Sequence, residues 1–92
     1  MAAMDDDELE RRLADLEGWE RKGKALRRNF TFEDFVASVE FVNRIVPVAE
    51  DLGHHPDLAI SWNEVAVALT THSEGGITES DFTLAREIER LA

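Results

Sequence analysis

The chemistry that this sequence could perform is concentrated in its three histidines, all of which lie in the segment 50–81. His54 and His55 are adjacent and directly precede Pro56, whereas His72 ends an apolar alternating run. Imidazole has an unperturbed pKa of about 6.5, so converging histidines can exchange protons at physiological pH. The residue types and spacing therefore favour a proton-transfer site that suits an elimination or a hydration.

Two other interpretations of the histidines stay open at this point. Three imidazoles can hold zinc and leave its fourth position open, but adjacent ligands on a short loop are geometrically awkward. The helical HxxxH spacing typical of zinc is also absent. The residues alone equally allow ordinary loop histidines, with Pro56 setting the turn.

Composition excludes several classes of function. The chain has no cysteine, which rules out disulfides, thiolate catalysis and cysteine-ligated metal centres. Its 20 acidic and 10 basic residues give a net charge of −10 and disfavour direct binding to nucleic acid. No apolar run reaches the ~18–20 residues of a membrane span. The acidic N-terminal segment lacks the features of a secretory signal, so we expect a cytoplasmic protein.

The basic residues cluster despite this acidity. Five of them fall in one short segment, Arg21, Lys22, Lys24, Arg27 and Arg28. A solvated strand face is the simpler interpretation, and a site for phosphate or another anion is the alternative.

Hydrophobic periodicity and turn residues predict three helices and four strands. Leu9, Leu13 and Leu16 form the apolar stripe of the first helix, and Gly23 with Lys24 forms the first hairpin turn. The predicted order is a helix over 5–17, a hairpin over 19–30, a central helix over 31–52, a hairpin over 57–71 that turns at Asn63 and Glu64, and a helix over 78–91.

Capping residues define the starts of the two later helices. Thr31 is the predicted N-cap of the central helix, with Asp34 at N3, and Thr78 is that of the last helix, with Asp81 at N3. Pro47 removes one backbone hydrogen bond inside the central helix, which predicts a kink there.

The same periodicity predicts which residues are buried. Trp19 and Trp62 are expected in the core, and Phe41 is expected to face a second element or a partner chain. The expected core stripe of the central helix is Phe32, Phe35, Val36, Val39, Val42, Ile45, Val46 and Ala49.

Two hairpins that cannot be stable separately should join into one sheet. We therefore predict an α+β two-layer domain over 1–92, with a four-stranded antiparallel sheet, helices on one face and the order α-β-β-α-β-β-α. Residues 1–4 are expected to be flexible. Because the core is small and one face of the second hairpin carries small residues, we expect a homodimer or homotetramer; these residues are Ala59, Ser61, Ala66 and Ala68.

The second hairpin is expected to bring His54, His55 and His72 to the same end of the sheet, where they could meet across one cleft. In this arrangement the chain resembles the pterin-4a-carbinolamine dehydratase family. That family's pattern of an acid, His-His-Pro, an aromatic residue, a later histidine and an aspartate is matched here by Glu50, His54-His55-Pro56, Trp62, His72 and Asp81. The segments TTHSEGGIT and RNFTFEDFVASVEFVNR are also similar, and the resemblance extends from about residue 9 to residue 91.

This resemblance implies dehydration of 4a-hydroxytetrahydropterin to quinonoid dihydropterin and water, in tetrahydrobiopterin recycling. It implies histidine acid/base catalysis without a metal or an organic cofactor, because the pterin is the substrate. A pterin-dependent aromatic amino-acid hydroxylase would act in the same pathway. No membrane partner is expected.

The resemblance also assigns residues. The implied catalytic residues are His54, His55 and His72, with His55 as the central acid/base. Glu50 would orient an imidazole, and Asp81 would either cap its helix or contact a histidine. Two loops would hold the pterin, through Gly53, His54, His55, Thr70, Thr71, His72 and Ser73.

Some members of this family are binding proteins instead. One serves in animals as a dimerisation cofactor of a homeodomain transcription factor, and distant bacterial homologues assist the assembly of other enzymes. A non-catalytic binding or assembly module is therefore the alternative function. The complete set of three histidines favours the enzyme.

Overall fold

Three helices and four strands form the part of the chain that the computed structural model describes, residues 2–92. The elements are α1 (Asp6–Ala14), β1 (Glu20–Lys22), β2 (Ala25–Thr31), α2 (Phe35–Leu52), β3 (Asp57–Ser61), β4 (Glu64–Leu69) and α3 (Glu79–Leu91), with a 3₁₀ turn at His72–Glu74. The strands make one antiparallel sheet in the order β1-β2-β4-β3. The predicted α+β fold is confirmed.

The core lies between one face of the sheet and the helices. The central strands β2 and β4 pair so that Leu26 lies opposite Leu69 and Phe30 opposite Val65, and all four side chains are buried. Strand residues alternate between faces, so the small residues Ala59 and Ser61 and others like them lie on the opposite, open face. Trp19 is buried as predicted, and its Nε1 donates to Glu89 Oε1 at 2.7 Å.

Both early helix boundaries differ from the prediction. α1 ends at Ala14 rather than at residue 17, because the chain turns there to bury Leu16. The N-cap of α2 is Asp34, whose carboxylate accepts from Ala37 N at 2.8 Å. Thr31 still pairs with Glu64 as the last residue of β2, so it cannot begin a helix.

The buried face of α2 was predicted correctly only in part: Ile45 and Ala49 are buried as expected, and Phe41 packs on a second element, β2. Phe41 is completely buried, and its ring centroid lies 4.9 Å from that of Phe30. Phe35, Val36 and Val46 are instead 55%, 63% and 53% exposed. α2 carries apolar side chains on most of its surface, so periodicity alone cannot tell which side packs on the sheet. The kink at Pro47 stays a prediction, since the helix continues past it to Leu52.

Trp62 is also placed differently from the prediction. It lies in the β3–β4 turn with φ of 50° and is 68% exposed. The turn is formed by Trp62 and Asn63, one residue earlier than expected, because Glu64 already belongs to β4. Edge strand β3 is less covered than β4, which leaves Ile60 38% exposed.

Two predictions concern the chain outside this core. No helix in residues 2–92 combines the length and apolarity needed to cross a membrane, and the cytoplasmic location stays a prediction. Met1, part of the predicted flexible segment, lies outside the described residues. Met4 donates its backbone N–H to the Ile77 carbonyl at 2.8 Å.

We expect Phe41→Ala to lower the free energy of unfolding by about 3–5 kcal/mol, because it leaves a cavity where three aromatic rings meet. Trp62→Ala removes an even larger aromatic side chain from an exposed turn and should change stability by less than about 0.5 kcal/mol. Urea denaturation of both variants tests the assignment. Equal losses would contradict it.

Candidate active site

The start of α3 carries the buried carboxylate around which the histidine loops are arranged. Thr78 caps the helix as predicted, and Asp81 completes the capping box by accepting from Thr78 N at 2.8 Å. Asp81 is 0% exposed. An ionised carboxylate at this depth needs several donors.

Two further donors come from the loops that the sequence singled out. His54 Nε2 lies 2.5 Å from Asp81 Oδ1, and Thr71 Oγ1 donates to Asp81 Oδ2 at 2.8 Å. Both sequence interpretations of Asp81, as a capping residue and as a histidine contact, are therefore correct. The carboxylate joins the loop after α2 to the loop after β4.

The α2 terminus presents His54 to this carboxylate. Gly53 adopts the left-handed conformation with φ of 63°, which ends the helix, and its N–H bonds back to the last turn. His54 N also donates to the Ala49 carbonyl, at 3.2 Å. The backbone direction of His54 is thus fixed before its side chain meets Asp81.

This contact selects one form of the His54 ring. Asp81 accepts from His54, Thr71 and Thr78, so the carboxylate requires a proton on His54 Nε2. In neutral imidazole the other nitrogen, Nδ1, is then an acceptor. In the neutral ring, Nδ1 is therefore the nitrogen left free to accept a proton.

His55 has a more open environment. Its Nε2 lies 2.5 Å from Glu50 Oε2, and the two side chains are 63% and 67% exposed. Glu50 therefore contacts the second histidine of the pair. Because solvent screens this exposed pair, it orients His55 far less firmly than Asp81 orients His54.

His72 lies on the 3₁₀ turn after β4 and is exposed. A bridge between Thr71 and Gly76 closes the loop, and Gly75 supplies the positive φ of 72° that the turn requires. His72 and Thr70 line a cavity of about 400 Å³ at the open face of the sheet.

His54 and His72 border different cavities. His54 borders a separate cavity of about 180 Å³ at the start of α3, together with Leu52, Glu79, Ser80 and Thr83. The Asp81 network brings the two loops together, while the expected meeting of all three rings across one cleft stays a prediction. Gly53 and Ser73 are exposed in the same loops.

The sequence interpretation missed Glu79, which borders the His54 cavity. Its pKa is lowered, chiefly by the hydrogen bond that Arg12 donates at 2.6 Å, against an opposing effect of burial. The same hydrogen bond raises the pKa of Arg12. These residues are 67 positions apart in the chain, so no local pattern could have revealed the pair.

The placement of potential metal ligands can be compared with the zinc interpretation. In residues 2–92, no three or more His, Cys, Asp and Glu side chains are placed together so that they could hold a metal ion. His54 and His55 each bind a different carboxylate instead.

Comparison with known families decides the relationship. Residues 2–91 match the family model described as pterin 4 alpha carbinolamine dehydratase. The chain belongs to this dehydratase family. Relatives provisionally named pterin-4-alpha-carbinolamine dehydratase include one from Thermosynechococcus vestitus, 55% identical over 92% of this chain and 90% of the relative. Another, from Sulfolobus acidocaldarius, is 47% identical over 96% of this chain and 97% of the relative.

Two solved structures share the fold. A transcriptional coactivator/pterin dehydratase from Brucella melitensis is 36% identical with a TM-score of 0.94, over 98% of both chains. A pterin dehydratase-like protein identified as a RuBisCO assembly factor in the alpha-carboxysome is 23% identical, with a TM-score of 0.70 over 83% of this chain and 90% of that one. The second likeness concerns the fold alone.

We expect Asp81→Ala to lower the free energy of unfolding of this family member by about 3 kcal/mol or more, because three donors lose their buried acceptor. Glu50→Ala also removes a carboxylate bonded to a histidine, but at the surface, and should cost less than about 1 kcal/mol. Urea denaturation at neutral pH compares the two. A small loss for Asp81→Ala would show that the carboxylate does not hold the loops together.

Proposed function

We propose that this chain is a hydro-lyase that dehydrates 4a-hydroxytetrahydropterin to quinonoid dihydropterin and water, in tetrahydrobiopterin recycling. The observation that carries the proposal is the contact of His54 and Thr71 with buried Asp81. This contact joins the loop of His54 and His55 to the loop of His72. Membership of the dehydratase family supports the same reaction.

The reaction makes two demands on these side chains. The 4a-hydroxyl must be protonated as the C4a–O bond breaks, and N5 must lose its proton so that its electrons form the C4a=N5 double bond. One proton is consumed and one released, and no electron is transferred to or from the substrate. General acid/base catalysis by imidazole meets both demands, so we propose that no metal or organic cofactor takes part.

We assign the central acid/base role to His55, which is exposed to solvent and bonded to Glu50. Exposure allows its proton to exchange with water between turnovers. His54 and His72 flank the pterin in this proposal, and Asp81 positions His54 with Nδ1 free to accept a proton.

The pterin ring is proposed to lie against the two joined loops. Backbone groups of Gly53 and Ser73 and the neighbouring loop residues would pair with the donors and acceptors of the flat heterocycle. The Thr71 hydroxyl would not bind the pterin, because it already donates its hydrogen bond to Asp81. The substrate would come from a pterin-dependent aromatic amino-acid hydroxylase.

We also propose that the chain forms a homodimer or homotetramer through the outer face of α2. Phe35, Val36 and Val46 lie on that helix and are each more than half exposed. Exposed apolar side chains of this size are typical of interfaces, and a small domain gains stability by covering them.

The test is dehydration of a 4a-hydroxytetrahydropterin generated in situ by a phenylalanine hydroxylase, followed by the rise of quinonoid dihydropterin. The wild type should accelerate the reaction over buffer. His55→Ala and His72→Ala should each lower kcat/KM by about 100-fold or more, the usual contribution of a general acid or base. Sedimentation velocity on the same preparations reports the oligomeric state.

A pair of matched variants on α2 serves as the control. Glu50→Gln should lower kcat/KM by about tenfold through His55, whereas Glu40→Gln, an equally isosteric change at another exposed position, should leave it unchanged. A folded wild type that does not accelerate dehydration would refute the proposed activity. The non-catalytic binding or assembly function would then replace it.

A further inference from the structure

The basic residues differ in whether they form ion pairs. Six of the ten Lys and Arg side chains form ion pairs with carboxylates in the described residues 2–92. Arg44 donates instead to the Leu91 carbonyl, at 3.0 and 3.2 Å. The remaining three are Lys22, Lys24 and Arg27, which are exposed and have no ion pair within that part of the chain.

These three unpaired cations line one cavity. It is the cavity of about 400 Å³ that His72 and Thr70 also border. The chain has 20 acids for its 10 bases, so leaving three cations unpaired at one place is unexpected for a protein that pairs the others. The concentration of unpaired positive charge indicates a site for an anion.

The fold holds the basic residues beside the histidine loop. Thr70 Oγ1 donates to the Lys24 carbonyl at 2.6 Å, which attaches the β1–β2 turn to the end of β4. Lys22 pairs with Ala25 across that hairpin, and Arg27 pairs with Ala68, so both side chains lie on the open face of the sheet. Backbone pairing therefore fixes the positions of Lys22 and Arg27 in the sheet, and Lys24 lies in the turn between β1 and β2.

Two acidic residues lie near Arg27. Glu20 is the cross-strand neighbour of Arg27, and Asp57 borders an adjacent cavity with Arg27. Neither forms an ion pair with Arg27 in the described chain. An anion of higher charge density, such as a phosphate dianion, could contact Lys22, Lys24 and Arg27 together.

We propose that this cavity receives the phosphorylated side chain of a pterin whose ring lies against the His72 loop. The inference rests on the proposed function and specifies its substrate class, a pterin with an anionic rather than a neutral side chain. The cavity volume falls in the range of about 300–1,000 Å³ usual for small-molecule sites. Lysine and arginine supply the donors that phosphate oxygens need.

The test measures binding of two dihydropterins by fluorescence titration or calorimetry. One has a neutral trihydroxypropyl side chain, and the other is the same compound phosphorylated on its terminal hydroxyl; inorganic phosphate is titrated separately. We expect the phosphorylated pterin to bind about tenfold more tightly at low salt. Because the contact is electrostatic and exposed, the difference should shrink at about 1 M salt, where the Debye length is about 3 Å.

Matched variants separate this site from the overall charge. Lys24→Gln/Arg27→Gln should abolish the preference for the phosphorylated pterin and leave binding of the neutral one unchanged. Arg11→Gln/Arg90→Gln changes the net charge equally at side chains that are 68% and 76% exposed. This control should keep the preference for the phosphorylated pterin within about twofold, because both residues lie on helices and neither lines the cavity.

Each contrary result has a distinct meaning. Equal binding of both pterins by the wild type would overturn this inference and leave the proposed function standing. Inorganic phosphate binding as tightly as the phosphorylated pterin would also overturn it, since the anion would then bind without the ring. Failure of both pterins to bind would overturn the inference and the proposed function together.

Discussion

The arrangement of the histidine loops depends on one buried carboxylate. Asp81 satisfies the first turn of α3 through Thr78 and reaches out to His54 and Thr71. No buried side-chain nitrogen or oxygen in residues 2–92 lacks a hydrogen-bond partner, so the carboxylate imposes no unpaired group on the core. Many helices use such a capping interaction only within their first turn. In this protein the capping carboxylate also fixes the loop after α2 relative to the loop after β4.

The distribution of charge complements this constraint. The acidic excess of the chain is spread over the helices, where most arginines pair with nearby carboxylates. Lys22, Lys24 and Arg27, which form no ion pair within residues 2–92, border the cavity of His72. The protein therefore combines a firmly held imidazole, that of His54, with the exposed imidazole of His72 beside a positively charged surface. Such a combination suits proton transfer on a substrate that carries negative charge.

Much of this organisation could be predicted from the sequence, and the failures have physical causes. The order of elements, the capping box at Thr78 and the positions of the histidine loops follow from local signals that the fold preserves. The buried face of α2 does not, because Phe35 and Phe41 are equally apolar and only packing on β2 separates them. Trp62 likewise looked like a core residue, because the turn was placed one residue too late and Trp62 was counted as part of the strand. The cluster of basic residues was visible in the sequence, but only the structure shows that Arg21 and Arg28 form ion pairs, whereas the other three members form none within residues 2–92.

The most direct test of the central role of Asp81 is the protonation of His54 observed by nitrogen-15 NMR at neutral pH. The His54→Gln variant identifies the signal by its loss. The structure predicts that Nε2, which faces Asp81, carries a proton. A ring that carries its proton on Nδ1, or that averages both forms as free imidazole does, would contradict the account.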